Sequence, residues 1–399
     1  MQKTFWTLKM HAQIKSLKIL LCLLFCFSQQ IASAQQASNQ SDRKCRPEFP
    51  LKEGWLGGDG IFSVPLNSGK TIWLFGDSFV SSQANSRTEP LNRLGAEMVA
   101  NTLALSKCGP QGFELNYYWH KNSSPPQKPF FQGEGFKYWP IHGFEYAGKL
   151  YLALERIQTT DAVENGFNFE ITGVDLAVVS NPESPPPEWQ ITIKNLSENR
   201  EIIPGIAMVR EKGYLYLLSF QETPQKNHPF LLNRIPISSL QQTPLPLEYL
   251  SQSKIWKQGL TGPDAQVLIP NGATEASLFY DPETKMWMIV HTSPEFLHSE
   301  IVIYQARELI GPWINKQVFT NFYPEMDKTQ PLYDTESFCY AAKAHPQFSN
   351  FKAHELLIGY ACNSFHFNKL LQSTQLYRPQ VKNIKLNPEH ESFEHEAKR

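Results

Sequence analysis

The sequence has no excess of basic residues and, beyond its N-terminal segment, no long hydrophobic run. Thirty-seven lysines and arginines stand against 38 aspartates and glutamates, which gives a formal charge of −1. Residues 1–34 contain four lysines and no acid, so the remainder carries −1 − 4 = −5. A nucleic-acid-binding protein is expected to be basic, so this class is excluded. The lack of a second long apolar run predicts no transmembrane span.

Cysteine is scarce, and its spacing does not fit a zinc site. Two of the six cysteines lie in the N-terminal segment, and the other four are Cys45, Cys108, Cys339 and Cys362. An even number in an exported chain indicates two disulfides. Cys339 and Cys362 flank a strand-turn-strand stretch, which favours pairing them and leaves Cys45 with Cys108. Free buried thiols are the alternative.

The N-terminal segment predicts export. Two lysines, Lys15 and Lys18, precede an apolar run at residues 19–27, and the small-residue sequence Ala32-Ser33-Ala34 follows. A basic start, a short apolar stretch and a small-residue cleavage site are typical of a secretory signal peptide, here residues 1–34. Either Met1 or Met10 could be the true start. We therefore expect a secreted or periplasmic protein.

One repeated hairpin fills the rest of the chain. The 29 prolines, 22 glycines and 13% aromatic residues favour short strands and turns. Five strands after turns place equivalent residues 78, 65, 71 and 70 positions apart, at Trp73, Tyr151, Tyr216, Trp287 and Leu357. This repeat predicts an all-β, five-bladed β-propeller over residues 51–386, after an N-terminal segment at 35–50 and before a charged tail at 387–399. A pair of β-sandwiches is the alternative.

The first hairpin places two aspartates opposite each other. In an antiparallel hairpin, facing residues have a constant sum of numbers. The turn at Ser68 and Gly69 requires a sum near 137, and Asp59 and Asp77 sum to 136. The same operation in the other repeats gives four pairs, namely His142 with Glu155, Pro204 with Gln221, Glu275 with His291, and His345 with Tyr360. We expect these strand ends to emerge around the axis on one face.

An opposed aspartate pair is suited to glycoside hydrolysis. Opposed like charges destabilise a sheet, so a purely structural role is costly. Repulsion in a shielded pocket raises one pKa and leaves the other carboxylate charged, as a general acid and its partner require. Opposed strand positions about 5 Å apart favour retaining chemistry. The alternative is that Asp59 and Asp77 each cap a glycine-rich turn.

Further polar and aromatic residues are expected near this pair. Glu275 begins an apolar strand, where a carboxylate is unusual and indicates a function. We assign it as a supporting catalytic carboxylate. Glu155 is expected to pair with Arg156 or Lys149. The substrate-binding candidates are four residues for sugar hydroxyls and two tryptophans for stacking, namely His142, Tyr340, His345, Asn363, Trp55 and Trp139. Bracing of loops by the histidines and core packing by the tryptophans are the alternatives.

Several motifs resemble a known family. They are Trp55-x-Gly-Gly-Asp59-Gly60, Trp73-Leu-Phe-Gly-Asp77-Ser78, Thr274-Glu275-Ala276-Ser277, Gly311-Pro312-Trp313, Tyr340-Ala-Ala-Lys343-Ala-His345-Pro346 and Tyr360-x-x-Asn363-Ser364. They resemble secreted five-bladed propellers long catalogued as of unknown function, over residues 51–366. Some members of the wider group are endo-acting D-arabinanases, and arabinanases, fructosidases and mannoside phosphorylases share the architecture. The resemblance implies that Asp59 and Asp77 are the catalytic carboxylates.

The sequence therefore predicts an exported, monomeric glycoside hydrolase that cleaves a polysaccharide, with an arabinan-type furanoside as one candidate. Asp77 is assigned as nucleophile and Asp59 as acid/base, and the reverse order is nearly equivalent. The chemistry needs no cofactor or catalytic metal, while a structural Ca²⁺ is left open. Two alternatives remain: a non-catalytic carbohydrate-binding propeller and a Ca²⁺-dependent propeller hydrolase.

Overall fold

The computed structural model describes residues 45–82, 92–122, 125–164, 167–293, 298–330, 333 and 335–387. The predicted signal peptide, the first part of the N-terminal segment and residues 388–399 lie outside the described residues. The described residues divide into a unit within 48–107 and 115–387 and a small unit of residues 45–47 and 108–114. In the described part, the small unit contains the disulfide between Cys45 and Cys108, as predicted.

The described residues are almost entirely strands. In chain order they are β1 (Trp55–Gly58), β2 (Phe62–Pro65), β3 (Thr71–Phe75), β4 (Ser78–Val80), β5 (Glu97–Val99), β6 (Thr102–Gly109), β7 (Gly112–Tyr118), β8 (Lys137–Tyr146), β9 (Lys149–Glu164), β10 (Phe167–Val179), β11 (Ile191–Ser197), β12 (Ile202–Glu211), β13 (Tyr214–Gln221), β14 (Phe230–Pro236), β15 (Glu248–Leu250), β16 (Trp256–Gln258), β17 (Ala276–Asp281), β18 (Met286–Thr292), β19 (Ile301–Ala306), β20 (Ile314–Phe319), β21 (Ser337–Ala344), β22 (Glu355–Ser364) and β23 (Gln380–Lys385). One α-helix within these stretches, α1 (Phe367–Gln372), joins β22 to β23. No helix in the described stretches is long and apolar enough to cross a membrane.

The strands form six antiparallel sheets. Their orders are β2-β3-β6-β7, β8-β9-β10-β11, β12-β13-β14-β15-β16, β17-β18-β19-β20, β21-β22-β23 and β1-β4-β5. Each of the five predicted repeat strands is the second strand of one of the first five sheets. The prediction of an all-β chain is confirmed, whereas the sequence repeat did not indicate the sixth, small sheet.

The first strands of the five repeat sheets follow one another around a ring. Strand β2 contacts β8, β8 contacts β12, β12 contacts β17, and β17 contacts β21. The return from β21 to β2 is made by a hydrogen bond of 2.7 Å between Ser63 Oγ and His345 Nδ1. Phe348 also stacks on Trp73, with ring centroids 5.5 Å apart. This succession brings the strand ends that precede β2, β8, β12, β17 and β21 towards one another, and the residues at these ends are called axial below.

Short turns and apolar strands explain these hairpins. Strands β8 and β9 are joined by Ala147 and Gly148, and β12 and β13 by Lys212 and Gly213, all four with positive φ. Two residues with positive φ make the type I′ turn that suits strand twist. The sequence of β13, Tyr214–Gln221, is apolar nearly throughout and buried except at its ends, because sheets cover both of its faces.

Two apolar clusters fill the space between the sheets. The larger includes Val64 of β2, Leu152 of β9 and Leu217 of β13, all without exposed surface. The smaller includes Val290 of β18 and Ile358 of β22. Within the smaller cluster, Cys339 and Cys362 lie opposite each other on β21 and β22 and form the predicted disulfide.

Candidate active site

Asp59 and Asp77 lie opposite each other, as the hairpin arithmetic predicts. Strands β2 and β3 pair Phe62 with Leu74, and strands β1 and β4 pair Gly58 with Ser78; both pairs sum to 136. The backbone NH of Gly76 also donates to the carbonyl oxygen of Asp59 at 3.1 Å. The two aspartates therefore lie between two ladders of the same register. Both side chains are half-buried.

The backbone beside the aspartates makes room for a carboxylate. A β-carbon added at Gly76 would lie 2.6 Å from Asp59 Oδ1 and 3.9 Å from Trp139 Cδ1. Contacts under 3.0 Å are not tolerated between such atoms, so a side chain at residue 76 would displace the acid. The glycine of the Phe75-Gly76-Asp77 sequence is thus required by the carboxylate on the facing strand.

Two tyrosines hold Asp59 from different parts of the chain. Tyr340 of β21 donates to Asp59 Oδ2 at 2.5 Å, and Tyr377, between α1 and β23, donates to the same oxygen at 3.2 Å. A hydrogen bond between Tyr340 and the Asn363 side chain completes this arrangement. Since Oδ2 accepts both tyrosine hydrogen bonds, a proton on the neutral acid would be placed on Oδ1, the oxygen over Gly76.

The surroundings of Asp59 favour its protonated form. Burial, with repulsion from Asp77 and Glu275, raises the pKa of Asp59 from 3.8 to about 7. The hydrogen bonds from the two tyrosines act in the opposite direction and lower this pKa. Burial also raises the pKa of Asp77, but a hydrogen bond from Trp139 and the charge of Lys137 oppose the rise. Trp139 Nε1 donates to Asp77 Oδ1 at 3.2 Å. The pair thus favours a neutral Asp59 beside an ionised Asp77.

Glu275 forms an ion pair with a buried lysine. Lys343, only 2% exposed in its side chain, donates through Nζ to Glu275 Oε2 and, at 2.8 Å, to the carbonyl oxygen of Ala341. Its ammonium also lies 3.9 Å from the centroid of the Phe62 ring. Burial lowers the pKa of Lys343, and the charges of Glu275, Asp59 and Glu155 oppose this shift. The lysine therefore supplies the positive charge among the axial acids.

A β-bulge places Tyr340 and Lys343 on the same side of β21. The register between β21 and β22 shifts between these two residues, and Ala341 has a φ of 61°. In a regular strand, residues three apart point to opposite faces. The extra residue of a bulge removes this restriction. Both side chains can then reach the axial acids from one strand.

Glu155 is buried without the expected ion pair. Arg156 instead bonds Glu198 at 2.6 Å and lies 3.9 Å from Asp175, so the predicted pairing of Glu155 with Arg156 is wrong. Burial raises the pKa of Glu155 well above 4.5, and repulsion from Glu275 and Glu222 contributes further. Burial therefore favours the neutral form of Glu155, and the charge of Lys343 opposes this shift.

Of the two candidate histidines, His345 is buried and His142 is half-buried. His345 is 1% exposed and bonds Ser63, while His142 lies with its ring edge-on to Phe62, at 6.5 Å between centroids. Burial beside the Lys343 charge lowers the pKa of His142 to about 4 and that of His345 to about 3. Both are neutral at pH 7. Among the described residues, His142 Nδ1 and His345 Nε2 have no hydrogen-bond partner.

The predicted pairings of these histidines are also wrong. Glu155 lies opposite Trp139, because the register of β8 shifts between Pro140 and His142, and His142 lies opposite Ala153. His291 lies opposite Ala276, one residue from Glu275. The backbone of His345 bonds Leu357 rather than Tyr360. Beside the three turns the facing residues sum to 295, 567 and 702 rather than the predicted 297, 566 and 705, so the register at these turns lies one to three positions from the predicted one. Between β12 and β13 the sum beside the turn is as predicted, and a bulge places Pro204 opposite Ser219 instead of Gln221.

The two candidate tryptophans have different positions. Trp139 is half-buried and binds Asp77, whereas Trp55 has no exposed surface. The Trp55 ring stacks on Tyr117 at 4.1 Å, and its indole NH donates to Thr102 at 3.0 Å. Trp55 is therefore a core residue with no face for a sugar. Asn363 is half-buried beside Tyr340.

Sequence reasoning missed the residue that positions Tyr377. Arg93 is completely buried, and its guanidinium donates 2.6–3.2 Å hydrogen bonds to the carbonyl oxygens of Leu56, Leu370, Ser373, Leu376 and Tyr377. Burial lowers the pKa of Arg93 to about 10, so it stays charged at pH 7. The arginine thus ties the segment after α1 to strand β1. Its isolated position in a polar loop gave no signal in the sequence.

A second group of potential metal ligands lies away from the aspartates. Glu325 is close to Cys339 and Cys362, whose side chains are common metal ligands. The two sulfur atoms are bonded to each other, so neither can bind a metal as a thiolate. Only one carboxylate then remains, and it accepts a hydrogen bond from Tyr360 at 3.3 Å. This group does not fit a metal.

Comparison with known proteins identifies the family. A model for a domain of unknown function, DUF5005, matches residues 48–386, and the chain belongs to this family. No curated protein matches the sequence. A crystal structure from Bacteroides ovatus, of a protein described only provisionally as a hydrolase, is 18% identical with a TM-score of 0.66, over 83% of this chain and 86% of that one.

Two other solved structures are more distant. The RS223 β-xylosidase is 12% identical with a TM-score of 0.47, over 86% of this chain and 96% of that one. The catalytic domain of a GH62 α-L-arabinofuranosidase from Coprinopsis cinerea is 9% identical with a TM-score of 0.43, over 83% and 96%. Similarity at these levels concerns the fold, so the activity has to be argued from the site of this chain.

Proposed function

We propose that this protein is an exported glycoside hydrolase that cleaves a polysaccharide with Asp59 and Asp77. The observation that carries the proposal is the facing pair itself, in which burial and the neighbouring charge keep Asp59 protonated up to about pH 7. A neutral carboxyl group beside an ionised one is what glycoside hydrolysis requires. Because Asp59 and Asp77 face each other in one hairpin, we expect a short distance between their carboxyl groups and hence a retaining mechanism.

In this mechanism Asp59 first acts as the acid. Its Oδ1 proton passes to the glycosidic oxygen as the bond to the leaving sugar breaks, while Asp77 attacks the anomeric carbon and forms a glycosyl ester. Asp59, now ionised, takes a proton from water, which attacks the same carbon and releases Asp77. Trp139 already donates to Asp77 Oδ1, so Oδ2 is the attacking oxygen.

The roles of the neighbouring residues follow from their contacts. The hydrogen bonds from Tyr340 and Tyr377 orient Asp59 and stabilise its ionised form during the second step. Glu275 and Lys343 form an ion pair beside the acids, and we assign Glu275 to binding or supporting charge rather than to proton transfer. Asn363 and Trp139 are assigned to substrate contact because they are half-buried next to Tyr340 and Asp77.

We infer that the five repeat sheets are the blades of a five-bladed β-propeller and that β1-β4-β5 is an addition to it. The succession of contacts from β2 through β21, with the return through Ser63 and His345, supports this architecture. A propeller brings the first strand of each blade to a common axis. The two disulfides support export into an oxidising compartment, and we expect a monomer.

The axial residues do not suit a calcium ion. Ca²⁺ takes six to eight oxygen ligands, with carboxylates among them. Here the Lys343 ammonium already lies among Glu275, Asp59 and Glu155, and its charge would repel a cation. We therefore propose hydrolysis without a metal, and we expect chelation by EDTA to leave the activity unchanged. Loss of activity on chelation, restored by Ca²⁺, would favour the metal-dependent alternative.

The proposal is tested by digesting a panel of polysaccharides, with arabinan first, and measuring reducing ends and products by chromatography. We expect release from at least one neutral polysaccharide, with the product initially in the anomeric configuration of the substrate. Binding to a polysaccharide without any release would instead identify a non-catalytic carbohydrate-binding protein. An initial product of inverted configuration would remove Asp77 as nucleophile and assign it as the base that activates water.

A further inference from the structure

A row of aromatic rings leads from Asp59 to the protein surface. The Tyr340 ring, whose hydroxyl binds Asp59, lies 5.6 Å from the Phe338 ring, and Phe338 lies 4.7 Å from Phe365. The two interplanar angles are 34° and 33°. Phe338 is buried, but Phe365, just after β22, is 38% exposed. We call Tyr340, Phe338 and Phe365 the Asp59-side aromatics.

A second pair of rings lies beside Asp77. Trp139, which donates to Asp77, has its ring 4.7 Å from that of Phe169, and Phe169 is 40% exposed. We call Trp139 and Phe169 the Asp77-side aromatics. Strand β8 begins at Lys137, opposite Ile157, while Phe169 lies opposite Thr159, past the first residue of β8. Phe169 therefore belongs to the part of the β9–β10 hairpin that continues beyond β8.

The two groups flank the aspartate pair. The Asp77-side aromatics belong to the sheet of β8, and the Asp59-side aromatics belong to the sheet of β21 or follow its strand β22. Strand β2, which follows Asp59 in the chain, contacts β8 on one side and is joined to β21 on the other through Ser63 and His345. The exposed rings therefore lie on opposite sides of the proposed catalytic residues.

Exposed rings next to carboxylates and amides suit one ligand class in particular. A sugar ring has an apolar face of CH groups and a rim of hydroxyls, so it can cover an aromatic ring while its hydroxyls reach polar groups. Asp77 and Trp139 on one side, and Asn363 with Tyr340 on the other, provide those polar groups. A purely apolar ligand would remove water from these polar groups without offering them hydrogen bonds.

We propose that Phe169 and Phe365 are sugar-contact residues on the two sides of the bond to be cleaved. The ligand is a neutral polysaccharide chain that extends past both aspartates, so cleavage occurs within the chain. This inference rests on the proposed function for the position of the bond. Contact of each ring with a sugar residue can be tested without cleavage.

The test compares Phe169→Ala, Phe365→Ala and the double variant with the wild-type protein. The matched control is Tyr280→Ala, because Tyr280 is 43% exposed and contacts one ring, that of Trp287, at the turn end of β17, away from Glu275. Arabinan and a length series of arabino-oligosaccharides are the first probes, followed by the other polysaccharides of the panel. Binding is measured by affinity electrophoresis, with Asp77→Asn in every protein to prevent turnover, and cleavage is measured separately.

We expect each phenylalanine variant to weaken binding of a long chain about 5-fold and the double variant about 25-fold, since one aromatic contact contributes ~1 kcal/mol. Tyr280→Ala should bind like the wild type. In the cleavage assay, the phenylalanine variants should have a higher KM than the wild type for long chains and nearly the same KM for the shortest substrate. The wild-type protein should release long products early in the reaction, because it cleaves within the chain.

Four results separate the two proposals. Cleavage with weaker binding by the phenylalanine variants supports both. Cleavage with binding equal to that of Tyr280→Ala overturns this inference alone. Binding without cleavage that weakens in the phenylalanine variants supports the inference and contradicts the hydrolase. Absence of binding to every polysaccharide overturns both.

Discussion

The hydroxyl group of Tyr340 donates a hydrogen bond of 2.5 Å to Oδ2 of Asp59, although 281 positions separate the two residues. The acid comes from the start of the first repeat and its donor from the last. This contact depends on the ring of repeat sheets, so that an intact fold is a condition for the proposed acid. It also makes the protonation of Asp59 sensitive to single hydroxyl groups.

Removal of a tyrosine hydroxyl should shift the pH profile upward. The hydrogen bonds from Tyr340 and Tyr377 favour ionised Asp59 and oppose the rise of its pKa to about 7. In Tyr377→Phe the pKa of Asp59 should be higher, so the decline of kcat/KM on the alkaline side should begin at a higher pH. Tyr249→Phe, which removes a hydroxyl bound to the remote Asp264, is the control and should leave the profile unchanged. A downward shift in Tyr377→Phe would contradict the assignment of Asp59 as the acid.

Replacement of the buried acid should stabilise the protein at alkaline pH. Because the pKa of Asp59 is about 7 in the folded state and 3.8 in the reference state, folding favours the protonated form, and stability is lost as pH rises between these values. Asp59→Asn should therefore raise the free energy of unfolding at pH 8 by up to about 4 kcal/mol and have little effect near pH 3.5.

Asp264 provides a control of opposite sign for this measurement. Its pKa is lowered by hydrogen bonds from Lys257 and Tyr249, so its contribution to stability is present at neutral pH and is lost as pH falls. Asp264→Asn should thus destabilise the protein slightly at pH 8. Urea unfolding at both pH values measures the two effects. Equal stabilities of wild type and Asp59→Asn at pH 8 would mean that Asp59 is ionised without cost.

A methyl group at residue 76 should disable the acid without a new charge. The added β-carbon would lie 2.6 Å from Asp59 Oδ1 and displace the carboxylate. Since a misplacement of about 1 Å can cost about 100-fold in rate, we expect kcat of Gly76→Ala to fall by about that factor. The control is Gly69→Ala in the same hairpin, where φ is +80° and no atom lies within 4 Å. It should lose about 1 kcal/mol of stability and retain activity. Wild-type kcat in Gly76→Ala would place the catalytic acid elsewhere.

Lys343 and Glu275 should contribute to stability as a pair, so that replacing both costs less free energy of unfolding than the sum of the two single replacements. Lys343→Met removes the ammonium next to the half-buried carboxylate of Glu275 and should destabilise the protein by about 1–3 kcal/mol, less than the loss of a partner from a fully buried pair. The double variant Lys343→Met with Glu275→Gln should recover part of this loss. A double-mutant cycle of unfolding free energies measures the coupling. Additive effects of the two substitutions would show that the residues do not interact.

The sequence was most informative where contacts are local. The turn at Gly69 is sufficient to place Asp59 opposite Asp77, because the register is the same at Phe62–Leu74 and at Gly58–Ser78 and shifts only beyond Gly58. The pairing of Glu155 with His142 failed because the turn between β8 and β9 sets the register two residues from the expected one, and a bulge between Pro140 and His142 shifts it by one more. No local pattern indicates a bulge whose origin is the packing of one sheet on another.

Contacts between residues far apart in the chain were the other features that the sequence did not predict. Tyr377 reaches Asp59 only because Arg93 binds five carbonyl oxygens across the first and last parts of the chain. Lys343 stands among alanines in the sequence, yet its partner Glu275 directly precedes the first strand of a different sheet. Trp55 looked like a sugar platform from its motif, but the fold covers both faces of its ring. Burial of this kind is a property of the assembled sheets.

The rate of reducing-end release from the polysaccharide that the wild-type protein cleaves best is the most direct test of catalysis by Asp59 and Asp77. Asp59→Asn and Asp77→Asn should each lose at least about 1,000-fold in kcat while keeping a cooperative unfolding transition. Asp264→Asn, which also removes a carboxylate bound to a tyrosine, should keep wild-type kcat. Substantial activity in either Asp59→Asn or Asp77→Asn would contradict catalysis by this pair.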